Sequence, residues 1–400
     1  MLFAHAFLPL HQFTDTLGGG LIGWMGKMRV DAYFGAQALF ELGDWWNECV
    51  MSWLPSNRAI FVTKEWLSTW WEHFGKGLPF LLCVKDYDEP ICLAPLFITR
   101  LNALGSDVIR FIGSGISDYG EVAVKPRRGV DAVNALMNYL VSHRHLWDAV
   151  ELCDLSVASP FASLIKAWCD EFGWRFGIGY EMSYSEVCPV LNLPQSFEEL
   201  TATVDGSLRN TLKRRERQIR KLFDVEFGIV KSEVERCEVV EQMFKLHTQR
   251  WLRKFQPGVF SLPSSRNFHR RWTKLALKKG WLNMHFLKLD GAYAAVHYCF
   301  GFGNAACYYG GGFMPEFGKY SVGTILMAHV LKHAIEDGKS IFDFLRGSER
   351  YKLMWGAVPM ANINIRLFWK RNIRSTTTVS FMRLRSKVLQ IARCIGHKLR

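Results

Sequence analysis

The sequence predicts an α/β protein made of two tandem units, each with a mixed central sheet, and three repeated features carry that expectation. A hairpin is written twice: "PFLLCVKDYDEPICLAPLFIT" (79–99) turns at 86–90, and "MHFLKLDGAYAAVHYCFGFG" (284–303) turns at Asp290-Gly291. A Gly-rich strand follows each, "RFIGSG" (110–115) and "CYYGGG" (307–312). After a loop, each copy has an amphipathic helix, 130–143 and 322–336, and then a returning strand, "DAVELCDL" (148–155) and "SIFDFL" (340–345). In the second helix Leu326, Val330, Leu331, Ala334 and Ile335 recur at helical spacing. Ahead of the first hairpin, "TKEWLSTWWEHFG" (63–75) reads as an aromatic helix. The expected organisation is a poorly ordered leader over 1–27, units over 28–190 and 191–372, and a basic amphipathic helix over 373–400.

Length and composition agree with two domains. The chain has 400 residues, 49% hydrophobic and 22% charged, the balance of a folded protein. A net charge of +13 points to anionic partners: nucleic acid, phosphorylated cofactors or anionic membrane. Ten cysteines stand without a CxxC pair, which predicts no zinc site and a reducing compartment. No basic leader precedes the apolar residues of "MLFAHAFLPLHQF", so no secretory signal is expected. The apolar window 292–314 contains His297, Asn304 and many Gly, and reads as two strands and a turn, not a membrane span. No Ser/His/Asp order, HExxH, Walker loop or GxGxxG occurs, which argues against a hydrolase or metalloenzyme.

Three stretches carry candidate chemistry. "SLRNTLKRRERQIRKLF" (207–223) places Leu208, Leu212, Ile219 and Leu222 on one stripe and leaves its arginines and lysines outward, an anion-facing surface or a solvated one. Ser321-Val322-Gly323-Thr324 opens a helix, where free backbone N–H groups suit a phosphate. His297 and the His247/Trp251 pair read as packing. In "FDFLRGSERYKLMWG" (342–356), Asp343 lies between two phenylalanines on a strand, and a carboxylate there needs a partner or a substrate. Either Asp343 pairs with Arg346 or Lys352, or it is an active-site acid with Lys352 and Tyr351 beside it.

"WLSTWWEHFG", "RFIGSGISDYGE", "SLRNTLKRRER", "LDGAYAA", "YSVGTIL" and "FDFLRGSERYK..W" together resemble the GNAT acyltransferases over about 45–372. The resemblance is to the CelD-type proteins of cellulose and exopolysaccharide synthesis, and it extends to the FemABX aminoacyltransferases with their tandem GNAT-like units. It implies an N-acyltransferase that uses acyl-CoA, acetyl or longer, and an amine on an envelope precursor such as an amino sugar, without metal. Splayed strands "ACYYGGG" and "SIFDFLRG" would then admit the pantetheine, with Ser321, Val322, Gly323, Thr324 and Arg346 binding the cofactor. The turn departs from the superfamily's Q/R-x-x-G-x-G/A, having one Gly. Lys352 matches the FemABX lysine that stabilises developing charge, Asp343 or Glu349 would accept the amine's proton, and Tyr309 or Tyr351 would protonate the thiolate. Asp118, Tyr119, Arg209 and Trp355 fall to substrate binding. The alternatives are long-chain acylation of a sphingoid base, as in bacterial ceramide synthases; transfer from aminoacyl-tRNA, as in FemABX; and a non-catalytic factor binding membrane or nucleic acid.

The tail "STTTVSFMRLRSKVLQIARCIGHKLR" repeats Phe381, Leu384, Val388, Ile391 and Ile395 at helical spacing among basic residues. It is either a helix docked on the body or an interfacial helix on an anionic leaflet, which would make a cytoplasmic enzyme peripheral to the membrane.

Overall fold

The computed structural model describes residues 28–101, 103–252 and 258–398; the expected leader lies outside them. The first half begins with β1 (Met28–Phe34), α1 (Ala36–Phe40), α2 (Asp44–Trp53), α3 (Ser56–Ala59) and α4 (Lys64–Phe74). Thr63 stops the chain entering α4 from unravelling by accepting the Trp66 N–H, as an N-cap should. The hairpin β2 (Leu78–Asp86) and β3 (Glu89–Leu101) follows, turning at Tyr87-Asp88, then β4 (Ser106–Phe111), the short β5 (Ala123–Val124), α5 (Gly129–Ser142), β6 (Ala149–Ser156), α6 (Pro160–Phe176) and β7 (Ile178–Asn192).

The second half repeats the plan: α7 (Phe197–Thr203), α8 (Gly206–Leu222), β8 (Val225–Ile229), α9 (Glu233–Leu252), α10 (Pro263–Lys278), the hairpin β9 (Leu282–Leu289) and β10 (Ala292–Phe302), then β11 (Ala305–Phe313), α11 (Val322–Glu336) and β12 (Ile341–Asp343). The chain closes with α12 (Arg350–Met354), β13 (Val358–Trp369) and α13 (Ile373–Lys398). The repeat read from the sequence is thus a repeat of topology. β4 runs parallel to β6 and β11 parallel to β12, each pair joined by a helix.

All strands share one sheet, ordered β1-β2-β3-β4-β6-β13-β7-β12-β11-β10-β9-β8, with β5 beside β3. Its centre is a strand exchange. β6 of the first half takes β13 from the end of the chain as its neighbour, while β12 of the second half takes β7 from the first. β13 and β7 pair antiparallel over most of their length. The boundary expected at 190/191 therefore falls inside a strand that completes the second half's sheet.

Helices α5 and α6 bury one face of the first half, and α7, α8 and α11 the matching face of the second. Across the sheet, α2, α4, α9 and α10 close a core rich in tryptophan, with Trp46, Trp66 and Trp272 fully buried. The Gly run on β11 has a steric cause. A Cβ at Gly312 would lie 2.6 Å from the His247 N, and one at Gly311 would lie 2.5 Å from His297 Nδ1, so only glycine lets α9 and β10 approach this closely. On α8, Leu208, Leu212 and Ile219 are buried as expected, but Leu222 is 52% exposed, because the helix ends there and the chain turns Phe223 inward. Along α11, Leu326, Val330, Leu331 and Ala334 are buried and Ile335 partly so.

Candidate active site

β11 and β12 stay in register for only three residues, from Ala305↔Ile341 to Cys307↔Asp343. β11 then continues to Phe313 while β12 stops, so Asp343 stands where a parallel pair comes apart. Its side chain is fully buried, on the face covered by the first half of the chain. Three donors hold it. Asn57 Nδ2 and Tyr119 OH donate to Oδ2 at 2.6 and 2.7 Å, and the Leu345 N–H donates to Oδ1 at 2.7 Å. Burial raises the Asp343 pKa, and the three hydrogen bonds oppose that rise. Neither Arg346 nor Lys352 is the direct partner, as the sequence had suggested, because each is engaged elsewhere.

Arg346 bridges two carboxylates of the first half, Asp118 at 3.1 Å and Asp154 at 3.0 Å, and also donates to the Ser117 carbonyl. Burial works against its charge, and the Asp154 and Asp118 carboxylates more than restore it. Burial pushes Asp118 up to about 6 despite that arginine. Arg346 is therefore a tie between the halves rather than a free cation for a cofactor. Lys352 is buried too, and its Nζ donates to the carbonyls of Leu345, Arg346 and Gly347 at 3.2, 2.8 and 3.1 Å, with Glu349 at 3.0 Å. Three carbonyls use the three N–H bonds of an ammonium. They fix a turn in which Leu345 has φ 53°, a left-handed conformation costing a leucine roughly 1–2 kcal/mol.

Tyr309 lies two residues past Cys307 on the same face, partly buried, donating to the Ile116 carbonyl at 2.9 Å, and desolvation lifts its pKa well above the ordinary value. Tyr351 is partly buried, edge-on to Phe344. Trp355 is 1% exposed within the core of α7, α8, α11 and β12, so it packs and does not face a substrate. Arg209 donates to the carbonyls of Ala202 and Val204, closing the turn from α7 into α8.

The expected phosphate turn has the geometry of an open helix start. Ser321, at φ 58°, caps α11 without a side-chain hydrogen bond; its carbonyl takes the Thr324 and Ile325 N–H groups. His297, read as a packing residue, ties this turn to the sheet, with Nε2 2.8 Å from the Gly323 carbonyl. α8 runs antiparallel along α11: Ile219 packs with Val322, and Phe223 with Phe317 and Tyr320. Its outer side forms an open groove of about 580 Å³ lined by Asn210, Lys213, Arg214, Arg217, Gln218 and Lys221. The basic helix thus belongs beside the α11 start.

The first half keeps the matching position differently. The last β4/β6 pair there is Arg110↔Glu151, and the Glu151 carboxylate is taken by Arg110 at 2.7 Å and Arg366 at 2.9 Å; elsewhere in that half Arg58 at 2.7 Å and Ser159 at 2.5 Å hold the buried Glu121. Asn57 was not legible in the sequence. "SNRA" matches no motif, and its partner is 286 residues away.

Residues 206–353 match the family model described as acetyltransferase (GNAT) domain. The chain carries a GNAT acyltransferase domain. That domain runs from the start of α8 into α12, and so contains the α11 turn, the β11/β12 separation and Lys352. It implies an acyl-CoA co-substrate and an amine acceptor. Among solved structures, the chain is similar to FemX, at 12% identity and TM-score 0.61, over 82% of this chain and 96% of that one. It is similar too to a conserved protein of unknown function from Bacteroides thetaiotaomicron, at 12% identity and TM-score 0.53, over 82% and 98%. A tandem GNAT protein of clavulanic acid biosynthesis matches at 13% identity and TM-score 0.44, over 84% and 98%. At these identities the likeness is one of fold. No curated protein sequence matches the chain. Among the described residues no cluster of potential ligands could hold a metal, and no helix is long and apolar enough to cross a membrane.

Proposed function

We propose that the protein is a CelD-type N-acyltransferase that moves an acyl group from acyl-CoA to the amine of an envelope precursor, an amino sugar or exopolysaccharide building block, at the cytoplasmic face of the membrane. The observation that carries this reading is Asp343, a buried carboxylate with raised pKa at the point where β11 and β12 part, inside the GNAT domain. The N–H groups of Val322 and Gly323 hold the pyrophosphate at the α11 start, where the helix dipole favours an anion, while that of Thr324 is kept by the Ser321 carbonyl. The neutral amine attacks the thioester carbonyl. Asp343 takes the proton that the amine sheds, which a carboxylate of raised pKa does more readily. Tyr309, kept protonated by burial, returns a proton to the departing thiolate. Asn57 and Tyr119 position Asp343. Lys352 and Glu349 shape the 345–347 turn, and Arg346 with Asp118 locks the two halves around it. Tyr351, Arg209 and Trp355 support the walls of the site.

The test is thiol release from acetyl-, decanoyl- and palmitoyl-CoA in the presence of glucosamine or sphinganine, with the product identified by mass. An amine-dependent release with a matching N-acyl product is expected. A long-chain product on sphinganine alone would move the acceptor to the sphingoid base. One observation favours a second reading: the basic groove on α8 beside the α11 start suits a polyanionic donor such as aminoacyl-tRNA as well as the phosphates of CoA. Absence of acyl-CoA binding at every chain length, with tight tRNA binding, would establish that reading instead.

A further inference from the structure

The C-terminal helix presents to solvent the stripe that its sequence marks as apolar. α13 docks through its other side. Ser375, Thr378, Val379 and Met382 are buried against β4, β6 and β13, Ser375 donates to the Asp148 carbonyl, and Thr378 donates to Ser106. Ser386 accepts from Arg366, which belongs to a buried network with Glu151 and Glu181. Arg374 and Arg383 pin the helix at its edges, to Asp148 at 3.0 Å and Glu181 at 2.5 Å. At about 100° per residue, Ile373, Phe381, Leu384 and Val388 lie within about 80° of one another and roughly opposite the docked side. They are 83%, 37%, 62% and 57% exposed. The exposed Arg385 and Lys387 fall on the two flanks of that stripe.

We infer that α13 is an interfacial helix, with its inner side fastened to the sheet and its outer side seated in an anionic lipid surface. Charge complementarity selects this occupant. From Ile373 to the end of the sequence there are seven Lys and Arg and no Asp or Glu, and two of those seven are spent on the body. An apolar stripe flanked by cations is the pattern that lies in the headgroup region, and at this polarity the helix lies on the bilayer rather than across it. The sequence continues the stripe with Ile391 and Ile395. This inference stands apart from the identity of the acyl acceptor, because it rests on the docking of α13 alone.

The test is co-sedimentation of the full chain with phosphatidylcholine vesicles, with and without 30% phosphatidylglycerol. Binding only to the anionic vesicles is expected, weakened by about tenfold or more in Leu384→Glu/Val388→Glu and also in Arg385→Glu/Lys387→Glu. All four positions are exposed, so circular dichroism and melting should match the parent. Equal partition of parent and variants, or binding indifferent to phosphatidylglycerol, would overturn the inference. So would a dimer abolished by Leu384→Glu/Val388→Glu without any vesicle binding, which would make the stripe a contact between copies of the chain.

Discussion

Removing one oxygen, in Tyr119→Phe, tests whether Asp343 is held as a working carboxylate. The hydroxyl donates to Oδ2 at 2.7 Å between two buried side chains, and the ring stays buried against Phe61. A hydrogen bond to a buried charge contributes about 1.5–3 kcal/mol, against about 0.5–1.5 kcal/mol for a neutral pair. That difference, about 1–1.5 kcal/mol, falls on the ionised form of Asp343, so its pKa should rise by about 1 unit, at 1.36 kcal/mol per unit. The sign follows: in the variant the acidic limb of the rate profile moves to higher pH, because the base is protonated over more of the range. Denaturant unfolding at pH 8 should show a loss of about 1.5–3 kcal/mol. In an Asp343→Asn background the same substitution should cost about 1 kcal/mol less, since the acceptor is then neutral. A variant with parental stability, an unmoved acidic limb and no coupling to Asp343 would refute the reasoning, and with it the role proposed for the carboxylate.

Lys352→Met should lower stability by about 2–4 kcal/mol, because three carbonyls of the 345–347 turn lose their donor; a variant with intact stability but turnover lost 100-fold or more would instead return Lys352 to transition-state stabilisation. Reversing charge on α8 with Lys213→Glu/Arg217→Glu should raise the acyl-CoA Kd at least tenfold and flatten its salt dependence, measured by calorimetry; unchanged affinity for both acyl-CoA and tRNA would remove the groove from donor binding. Acid stability should be governed in part by His269, buried between Phe260, Phe268 and Tyr309, beside His247, and pushed down to about 3 by that burial. Its folded pKa lies below the unfolded value, so the stability it confers is complete above about pH 6.5 and drains as pH falls toward 3, at up to about 1.4 kcal/mol per unit. His269→Gln should unfold with a shallower pH dependence over that window. Asp118, raised to about 6, acts in the opposite sense but is common to both proteins; parallel curves would count against His269.

What the sequence by itself determined here is the local grammar and its repetition. Apolar runs broken at an acidic turn, 86–90 in one and Asp290-Gly291 in the other, specify β2/β3 and β9/β10, helical periodicity specifies α5 and α11, and the same order in both halves specifies two related units. These are properties of neighbours within a few residues of one another, which is the range over which side-chain spacing and turn chemistry act. The sequence also located the candidate site, since a carboxylate between two phenylalanines is costly wherever it is buried. It could not say what offsets that cost. Asn57, Tyr119 and the Arg346 ties reach Asp343 and its turn from the other half of the chain, and the exchange of β7 and β13 that holds the halves in place is a matter of which sheet edge each strand completes. The tail divides in the same way. Spacing alone marked the stripe of Phe381, Leu384 and Val388, but the face that docks was decided by Ser106, Asp148 and Arg366. Those partners satisfy Ser375, Thr378 and Ser386 in a buried seam, and leave the apolar side to the outside.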